Sequence, residues 1–589
     1  MERSAIYHRP ASEMAYMADK QNYRLQLKTK HRDITRVQVI FGAPQMLVKD
    51  SGQTDAWEYA TKEMDKRLQN GIYDVWEVKL PIPATRKLKY AFHLLDREGN
   101  ELLYDANLMQ LYTPKAVQEM TGFLTPYLVL DETATTPEWT QKMIWYRLMP
   151  DRFANGDQKK DLKDILKWGQ KADKAKFFGG DLQGIIDNLD HIQGLGFNGI
   201  YLSPVFDAYS NHKFDTIDYY EIDPAFGTKE KFKELIEAIH QRGMKVMLDI
   251  TCDHLSDFSL QWQDVRKYGA RSSFAKWFLI KEFPVRYVPS ELPDYSERLT
   301  YEALNNNPHM PKVDLENPEV QAYFGNILIY WTRNFDIDGW SIADSNEIPA
   351  AFKRYLLETL RQVKADIYLL GNTIAKKAEH DDVFAGNNSI DVRELVEGTF
   401  ITKNIPPTEL AYALNEHQLR ADPSTLSASL LAADSPQTQR ILAKCEGNVQ
   451  LFRAVLAFMF MQPESPSILY GTEKGIKAGT EAALQPCMEW KDDQASAEMQ
   501  RFLKTLLAMR IRYNNVLCEG SFEWGQCSNQ YSYLSFSRRL GDKRLFALFN
   551  LGYGSIKIIL PQNCKLLLGQ NLVEQDKRLG QTGFAIVEL

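Results

Sequence analysis

Apolar and polar positions alternate at both ends of the chain. Up to about residue 130, short runs of alternating or β-branched and aromatic residues are separated by Gly, Asp and Pro, as in YRLQLKTK, TRVQVIFG, YDVWEVKL and LKYAFHLLD. Such runs predict a β-sandwich over residues 1–130. Over residues 512–589, the runs YSYLSFSRR, RLFALFNLG and SIKIILP predict a second, closing β-sandwich.

The middle of the chain, residues 131–511, alternates short apolar runs with helical periods. In one predicted helix, Thr228 is the N-cap and Gly243 follows the end. Four apolar residues of that helix share one face: Phe232, Leu235, Ile236 and Ile239. Buried strands are predicted at MIWYRLMP, NGIYLSPVF, KVMLDIT, DIDGWSIAD, DIYLLGN, SASLLAAD and PSILYG, with an eighth over Ser389-Ile390-Asp391-Val392.

Eight strands with helices between them predict an α/β fold, a (β/α)₈ TIM barrel. In such barrels the residues that follow the strands carry the chemistry, so function is sought there. Residues 255–315 are too many for a loop between a strand and a helix, and they predict a small inserted subdomain.

Composition and charge exclude several classes of protein. The net charge is −7 and no Lys/Arg tract is present, which argues against a nucleic-acid partner. No apolar run reaches the length of a membrane span, and none follows Met1 as a secretory signal would. The six cysteines lack metal-ligand spacing, which favours free thiols in a reducing cytoplasm.

One stretch, Asp338-Gly339-Trp340-Ser341-Ile342-Ala343-Asp344-Ser345-Asn346-Glu347, resembles a signature of the alpha-amylase family of glycoside hydrolases. Further segments resemble the neopullulanase, cyclomaltodextrinase and maltogenic-amylase branch of that family, among them IWYRLMPDRFANGD, NHKFDTIDYYEIDPAFG, VMLDITCDH and LYGTEKG. The start of the chain resembles the extra N-terminal sandwich of that branch. The resemblance covers nearly the whole chain, although MPKVD at residues 310–314 departs from the usual MPKLN of the branch.

The resemblance implies a retaining mechanism that this chain cannot perform in the usual way. Retention needs two carboxyl groups about 5–5.5 Å apart, one to attack the sugar and one to deliver and recover a proton. Matched residue by residue, the nucleophile position is Ala343 and the acid/base position is Asn372. The third carboxylate position is Ser435, with Asp434 in place of the preceding His; counted back from Arg440, the pair becomes Pro436 and Gln437. Either register lacks a His-Asp pair.

The surrounding positions have also changed in part. The Arg that would steady the nucleophile is Ser341, and the Asn of the family's Asn-His pair is Asp253. The resemblance implies that four residues bind substrate: Phe214, which replaces a Tyr, together with Asp215, His254 and Trp340.

Three carboxylates stand near the vacated positions without a counterpart in the family pattern: Asp253, Asp344 and Asp434. They are either drift in a pocket released from chemistry or a rebuilt acidic site, with His254 or a divalent cation as its partner. If the strand continues through Asp344, this side chain points away from the former nucleophile position. If the strand has ended, the side chain is free to swing round.

A loop after the first barrel strand matches calcium-binding positions of the branch, and hard oxygen donors suit Ca²⁺. The predicted ligands are Asn155, Asp157, Asp161, Gly179 and Asp181. The alternatives are that Asp181 caps the following helix and that the ammonium group of Lys160 takes the place of the ion.

The N-terminal domain carries three aromatic residues, Trp57, Tyr59 and Trp76, which either stack on glucan or pack in the core. The branch often dimerises through this domain, so the resemblance implies a homodimer or a mixed dimer with an active paralogue.

Three functions are compatible with this pattern. The first is an inactive relative that binds α-glucan oligosaccharides in the cleft. The second is an α-glucan hydrolase or transferase with a rebuilt acidic site. The third is a structural or regulatory partner of a paralogous amylase that binds no sugar.

Overall fold

A computed structural model describes the chain except for residues 45–46, 50–54, 130–135, 161–163, 174–175, 373–382, 421, 478–484 and 531. Contacts divide the described residues into two units. The first comprises Met1–Thr135, Gly398–Pro423 and Asn515–Leu589, and the second comprises Thr136–Glu397 and Ser424–Asn514. Within the described residues, no helix combines the length and apolarity that a membrane crossing requires. The six cysteines all lie in the described part and form no disulfide.

The helices, numbered along the chain, are α1 (Pro114–Glu119), α2 (Pro150–Phe153), α3 (Leu182–Asp187), α4 (Leu189–Leu195), α5 (Lys229–Gln241), α6 (Leu260–Tyr268), α7 (Pro318–Phe335), α8 (Ala350–Val363), α9 (Ile390–Phe400), α10 (Pro407–Arg420), α11 (Pro423–Ala428), α12 (Ile441–Lys444), α13 (Val449–Phe460), α14 (Gln494–Arg512) and α15 (Asn514–Glu519).

The first unit is built mainly of antiparallel strands. From the N-terminal part come β1 (Ala15–Met17), β2 (Asn22–Lys30), β3 (Ile34–Gly42), β4 (Leu47–Lys49), β5 (Asp55–Trp57), β6 (Ala60–Glu63), β7 (Asp65–Gln69), β8 (Tyr73–Pro81), β9 (Lys89–Asp96), β10 (Glu101–Tyr104), β11 (Met109–Leu111) and β12 (Phe123–Leu124). From the C-terminal part come β23 (Ser521–Ser528), β24 (Tyr533–Leu540), β25 (Lys543–Asn550), β26 (Ile556–Lys557), β27 (Lys565–Val573) and β28 (Arg578–Glu588).

Two sheets of this unit face a shared core. Leu25 and Val78 come from β2 and β8, and Val39 and Phe92 come from β3 and β9; all four lie in one buried cluster. The apolar members of alternating strands therefore meet between the sheets, as a sandwich requires. Trp57 and Trp76 are buried, with their indole N–H groups bonded to Ala43 O and Thr29 Oγ1, so both rings pack in the core.

One sheet of the unit runs through both terminal parts of the chain. Its order is β1-β2-β8-β7-β23-β24-β25-β28-β26, with β27 also paired to β28. The two parts join where β7 and β23 pair in parallel, with Leu68 opposite Phe522. The predicted terminal sandwiches thus share a sheet, and residues 398–423 of the predicted barrel region belong to the same unit.

The second unit contains a parallel barrel. Its strands are β13 (Trp145–Leu148), β14 (Gly199–Leu202), β17 (Lys245–Ile250), β18 (Gly339–Ala343), β19 (Tyr368–Asn372), β20 (Gly386–Asn387), β21 (Leu430–Ala432) and β22 (Ser465–Leu469); a hairpin of β15 (Phe206–Ala208) and β16 (Thr216–Ile222) follows β14. The order β20-β19-β18-β17-β14-β13-β22-β21 is closed by a parallel bridge between Asn388 and Leu430. The predicted (β/α)₈ barrel is confirmed.

Helix α5 forms as the apolar period predicts. The Thr228 hydroxyl accepts a hydrogen bond from Lys231 N at 3.2 Å, so it satisfies one of the N–H groups that a helix start leaves unpaired. The four apolar residues named above are all buried against the barrel. Gly243 has a positive φ of 69°, a conformation that glycine adopts without strain and that lets the chain leave the helix.

The sixth barrel strand lies earlier than predicted. Strand β20 is Gly386–Asn387, whereas Ile390 and Val392 begin helix α9. The Ser389 carbonyl accepts a bond from Arg393 N at 3.3 Å, which starts the helix. The prediction over residues 389–392 was wrong because it followed β-branched residues, while closure of the barrel imposes the strand on Gly and Asn, which have low strand propensity.

Between β17 and α7 lies the predicted insertion. It contains α6 and short backbone bridges such as Phe278 with Val313 and Ile280 with Tyr301. A further bridge pairs His254 with Lys312, so the end of the insertion returns beside the residues that follow β17.

Candidate functional site

The alternation of side chains along β18 decides which residues reach the barrel interior. Ser341 bonds to Tyr201 and Asp249 of neighbouring strands, whereas the Trp340 indole N–H bonds to Thr332 of α7 at 3.0 Å. Successive strand residues face opposite sides, so Ser341 faces inward and Trp340 faces the helices. Trp340 is fully buried there, which corrects the prediction that it binds substrate.

The vacated positions belong to a buried hydrogen-bonded chain, here called the interior network. Its members are Arg147, Tyr201, Asp249, Ser341, Asn372 and Asn388. They come from β13, β14, β17, β18, β19 and the residue after β20. All six are at most 8% exposed. The network therefore crosses the barrel interior from one strand to the next.

The hydrogen bonds of the interior network run in one direction. Asn388 Nδ2 donates to Asn372 Oδ1 at 3.1 Å, and Asn372 Nδ2 donates to the Tyr201 hydroxyl at 3.1 Å. The hydroxyls of Tyr201 and Ser341 are 2.7 Å apart, and Ser341 donates to Asp249 Oδ1 at 2.9 Å. Because Ser341 gives its proton to Asp249, the Tyr201 hydroxyl donates to Ser341. Every donor thus points toward Asp249.

Arg147 completes the network at its acidic end. Its Nη2 lies 3.0 Å from Asp249 Oδ2, and its guanidinium lies 4.3 Å from the centre of the Tyr201 ring. Burial raises the pKa of Asp249 above its ordinary value, although Arg147 and the two hydroxyls oppose that rise. A guanidinium and a chain of donors around one carboxylate favour its ionised form. The buried charge is therefore paired.

Ala343 and Asn372 are neighbours in the barrel. They lie opposite each other in the parallel pair of β18 and β19, and adjacent strands are about 4.8 Å apart. Two carboxyl groups at these positions would meet the spacing that retention needs. The chain has a methyl group and an amide there, and both ends of the amide are bonded within the interior network. Neither side chain can attack a sugar or exchange a proton near neutrality.

A second group of polar residues, here called the rim cluster, follows the ends of β17 and β18. It consists of Asp253, His254, Lys312, Asp344 and Glu347.

His254 is the fixed centre of the rim cluster. Its Nδ1 is 2.8 Å from Asp253 Oδ1 and its Nε2 is 2.9 Å from the Phe214 carbonyl. The carbonyl and the ionised carboxylate are both acceptors, so this geometry favours the protonated ring, in which both nitrogens donate. Burial lowers the pKa of His254, but the charge and hydrogen bond of Asp253 outweigh burial and hold that pKa above its ordinary value. In this geometry both ring nitrogens are hydrogen-bonded to other groups of the protein.

Asp253 keeps one oxygen unused. Burial raises its pKa, but the neighbouring His254 outweighs burial and holds that pKa below its usual range. Oδ1 bonds to His254, whereas Oδ2 is buried and has no hydrogen-bond partner among the described residues. An Asn at this position would offer an amide N–H₂ there instead. Compared with the Asn of the family pattern, Asp253 therefore places a hydrogen-bond acceptor, not a donor, at this point.

Asp344 shows that strand β18 has ended. Ala343 is the last strand residue, and Asp344 adopts the left-handed conformation with φ 47°. Such a φ turns the chain out of the strand, so of the two predicted orientations the swung one applies. Burial, followed by the charge of Asp253, raises the pKa of Asp344 to about 6, while His254 and Lys312 oppose the rise. Lys312 pairs with Glu347.

Asp434, the third unmatched carboxylate, is bonded to residues that follow β21 and β22. Its Oδ1 accepts a bond from Ile441 N at 2.6 Å and its Oδ2 accepts one from Thr472 at 2.8 Å. Arg440 lies 3.9 Å away. Next to it, the Ser435 hydroxyl is 3.1 Å from that of Thr438. The structure thus brings Asp253 and Asp344 into one cluster and places Asp434 in a separate set of contacts.

Two predicted substrate-binding residues lie in the loop between β15 and β16. Phe214 is half-buried and its ring lies 5.7 Å from that of His212, nearly parallel to it. Asp215 is buried and accepts bonds from the Ser210 hydroxyl and from Ser210 N. Phe214 is tied to the rim cluster through its carbonyl, which accepts from His254.

The predicted calcium loop is held by contacts within the protein. Asp181 caps α3 by accepting from Gly184 N at 2.6 Å, and it also accepts from Gly156 N and Asp157 N. Lys160 Nζ lies 3.4 Å from Asp157 Oδ2. The Gly179 N–H bonds to Asp151, Asn155 lies beside this loop, and Asp161 is outside the described residues. Backbone N–H groups and an ammonium take the oxygens of both described carboxylates, so these donors do not fit Ca²⁺.

In the part of the chain that the structure describes, no group of three His, Cys, Asp or Glu side chains is arranged to hold a metal ion. This includes the rim cluster.

Sequence reasoning missed four residues of the interior network: Arg147, Tyr201, Asp249 and Asn388. A signal was available for three of them, because Arg147, Tyr201 and Asp249 are polar residues within the mainly apolar strands WYRL, GIYL and KVMLDI. A polar residue in a fully buried strand needs a partner, and those partners lie on neighbouring strands.

Comparison with known proteins finds family models and relatives that agree with one another. A family model described as "Alpha amylase, catalytic domain" matches residues 147–515, and one described as "Alpha amylase, N-terminal ig-like domain" matches residues 1–129. The "Intracellular maltogenic amylase" of Bacillus subtilis (strain 168) is 36% identical over 558 residues, which cover 94% of this chain and 92% of the relative.

Two further relatives are similar over nearly their whole lengths. The "Cyclomaltodextrinase" of Geobacillus thermopakistaniensis (strain MAS1) is 32% identical over 591 residues, covering 98% of this chain and 97% of the relative. A solved structure of a "Cyclomaltodextrinase" matches with a TM-score of 0.81 at 27% identity, covering 100% of this chain and 98% of the other.

Proposed function

Because the chain belongs to the alpha-amylase family, in the branch of cyclomaltodextrinases, maltogenic amylases and neopullulanases, we propose that it binds α-glucan oligosaccharides without hydrolysing them. The relatives whose names describe an activity are amylases and cyclomaltodextrinases. Their ligand class transfers to this chain as a proposal, since the barrel that would hold the ligand is retained.

The observation that carries the proposal is the interior network. At the nucleophile and acid/base positions this chain has Ala343 and Asn372, and the Asn372 amide is bonded to Tyr201 and Asn388. Loss of one acid/base group typically costs about 10²–10⁴ in rate, and loss of the nucleophile removes the covalent route. Ser341 and Asn372 are both bonded to Tyr201 on a neighbouring part of the barrel, which supports the proposal.

The proposed ligand site is the mouth of the barrel beside the rim cluster. Phe214 offers a half-buried ring on which a sugar can stack. Asp253 Oδ2 is a buried acceptor without a partner among the described residues, and a ligand hydroxyl would satisfy it once the side chains that cover it move aside. Both features would stabilise a bound glucan and neither supplies a nucleophile at the vacated position.

Isothermal titration calorimetry with maltotriose, maltotetraose and cyclodextrin tests this proposal. We expect saturable heat with the native chain and binding at least tenfold weaker in Phe214→Ala, while Phe214→Tyr retains binding. Tyr553→Ala, a change at a strongly exposed ring of the other unit, is the matched control and should bind like the native chain. No heat with any of these ligands would refute glucan binding.

A second candidate function rests on the rim cluster. Asp344, with a pKa of about 6, is partly protonated near neutrality, and Asp253 lies in the same cluster with one oxygen unused. A protonated acid beside a carboxylate is the combination that a hydrolase or transferase with a rebuilt site would use. Product from maltodextrins that disappears in Asp344→Asn would support this candidate, and turnover that persists in the variant would exclude it.

Two predictions concern the location and the partners of the chain. Location in the cytoplasm is proposed because the relative from Bacillus subtilis is named intracellular. A homodimer, or a mixed dimer with an active paralogue, is proposed from the resemblance and is tested by mass photometry with and without such a paralogue.

For the calcium loop, a bound ion stays a prediction that the described donors do not favour. The melting temperature should shift by less than about 1 °C between excess EDTA and millimolar CaCl₂, since a tight ion would add about 3 kcal/mol at 100 times its dissociation constant.

A further inference from the structure

A cavity separate from the interior network and the rim cluster lies beside the loop that follows β13. Its volume is about 630 Å³, and Trp168, Trp490, Phe178, Asn155, Gln158 and Asn188 are among the residues that line it. The cavity lies wholly in the second unit. Pockets that hold small ligands typically measure about 300–1,000 Å³, so the space suits one or two sugar rings.

Two tryptophan rings in the wall are fixed in place by their own hydrogen bonds. The Trp168 indole N–H donates to Met488 O at 2.7 Å, and that of Trp490 donates to Phe153 O at 3.0 Å. Both rings are half-buried. A ring that is already held loses little freedom when a ligand stacks on it, which favours binding.

The aromatic neighbours of these indoles approach them edge to face. Trp168 meets Phe178 at 6.2 Å and 76°, and Trp490 meets Phe153 at 5.1 Å and 72°. No parallel ring covers either indole within the described residues. Indole surface therefore remains to form part of the cavity wall.

The polar groups of the cavity select the class of ligand. Asn155, Gln158 and Asn188 contribute amides, which both donate and accept hydrogen bonds, and Lys167 is the one ionisable residue among the described residues of the lining. An anionic ligand would call for several cations, and a cationic ligand for carboxylates. Neutral amides beside aromatic rings match a ligand with hydroxyl groups around an apolar face, which describes a pyranose.

We propose that this cavity is a second saccharide-binding site, in which the chain holds a glucose unit of an α-glucan at a place remote from the vacated positions. The ligand class rests on the proposed function, whereas the site itself rests on the cavity and its lining. A protein with two such sites would bind two stretches of one long glucan, or two separate chains.

Calorimetry with maltotriose on the full chain tests the second site through its stoichiometry. We expect two ligands per chain in the native protein. Trp168→Ala should leave one, with the affinity of the lost site reduced at least tenfold, and Phe214→Ala should leave the other. Trp139→Ala, a change at a half-buried tryptophan outside both sites, should keep both.

A second variant keeps the test decisive if Trp168→Ala fails to fold. Ile165→Trp fills the cavity without removing a wall, and it should also leave one ligand. In addition, 5-fluorotryptophan labelling should give a ¹⁹F resonance, assigned through Trp168→Phe, that shifts when maltotriose is added.

The outcomes separate the two proposals. One ligand that is lost in Phe214→Ala and kept in Ile165→Trp would overturn the second site and leave the proposed function intact. One ligand with the opposite pattern would support the second site and overturn binding at the barrel mouth. No binding at all would overturn both.

Discussion

The interior network and the rim cluster occupy neighbouring parts of the same barrel and have opposite properties. In the interior network, hydroxyls and amides form a one-way chain that ends on Asp249, and Arg147 neutralises that charge. In the rim cluster, Asp253 has a buried oxygen without a partner among the described residues, and Asp344 is held at a pKa of about 6. The interior network thus pairs both oxygens of Asp249 but leaves Arg147 Nε without a partner among the described residues, whereas the rim cluster leaves a carboxylate oxygen unpaired.

The difference lies in how each region pairs its polar groups. Removal of an Arg, an Asp and a Glu from a buried pocket would leave polar groups unpaired, which costs about 1–3 kcal/mol for each group. Ser341 and Asn372 are small polar residues that join their neighbours instead. In the rim cluster Asp253 is also buried, so its unpaired oxygen carries the same kind of desolvation cost.

The largest expected effect separates the two regions by stability. Asp249→Ala should lower the free energy of unfolding of the barrel unit by about 3–5 kcal/mol, because it leaves Arg147 as a buried charge without a partner. Glu347→Ala, which breaks the more exposed rim pair with Lys312, should cost less than about 1 kcal/mol. Urea unfolding followed by hydrogen exchange of the barrel strands measures both. Equal costs would contradict the distinction.

The next effect depends on pH and is followed through Asp344 of the rim cluster. The pKa of Asp344 is higher in the folded chain than the usual 3.8, so the folded state favours the proton and stability falls as pH rises from about 4 to 6. Asp253, His254, Glu347 and Lys312 all act on this carboxyl. Asp344→Asn removes the loss, and Asn tolerates the left-handed backbone.

Thermal unfolding between pH 3.5 and 7.5 checks the expectation. Asp344→Asn should match the native chain below pH 4 and exceed its stability by roughly 1–3 kcal/mol above pH 6.5. A constant offset across this range would show that Asp344 does not titrate as described.

The smallest effect tests one hydroxyl in the middle of the interior network. Tyr201→Phe removes the hydroxyl that links Asn372 to Ser341, and it should cost about 1–2 kcal/mol because two buried groups lose a partner. Tyr209→Phe removes a hydroxyl from a side chain that is 73% exposed, and it should change stability by less than about 0.5 kcal/mol. An equally small effect of Tyr201→Phe would show that the network contributes little.

Much of the barrel could be predicted from sequence because its strands are continuous apolar runs. Helix α5 followed from Thr228, Gly243 and a regular apolar face. Strand β20 could not be placed, since Gly386 and Asn387 have no strand propensity and are held there by barrel closure.

For the site, the sequence predicted which carboxyl groups are missing but not how the remaining residues contact one another. Motif matching identified Ala343 and Asn372 as vacated, but Tyr201 and Asn388 became partners of Asn372 only once the strands were arranged side by side. The placement of Trp340 was missed because the motif does not state which face of the strand points inward. The orientation of the Asp344 side chain depended on the exact residue at which β18 ends. A shift of that end by one residue would point the side chain to the opposite face.

The central claim is that the native chain binds α-glucan and does not cleave it, and product analysis tests this most directly. The native chain, Asp344→Asn and the quadruple variant Ser341→Arg/Ala343→Asp/Asn372→Glu/Ser435→Asp are each incubated for a long period with maltotetraose, pullulan and cyclodextrin. The account predicts no product from the first two and turnover at least a hundredfold above background from the third. Turnover by the native chain that disappears in Asp344→Asn would contradict it.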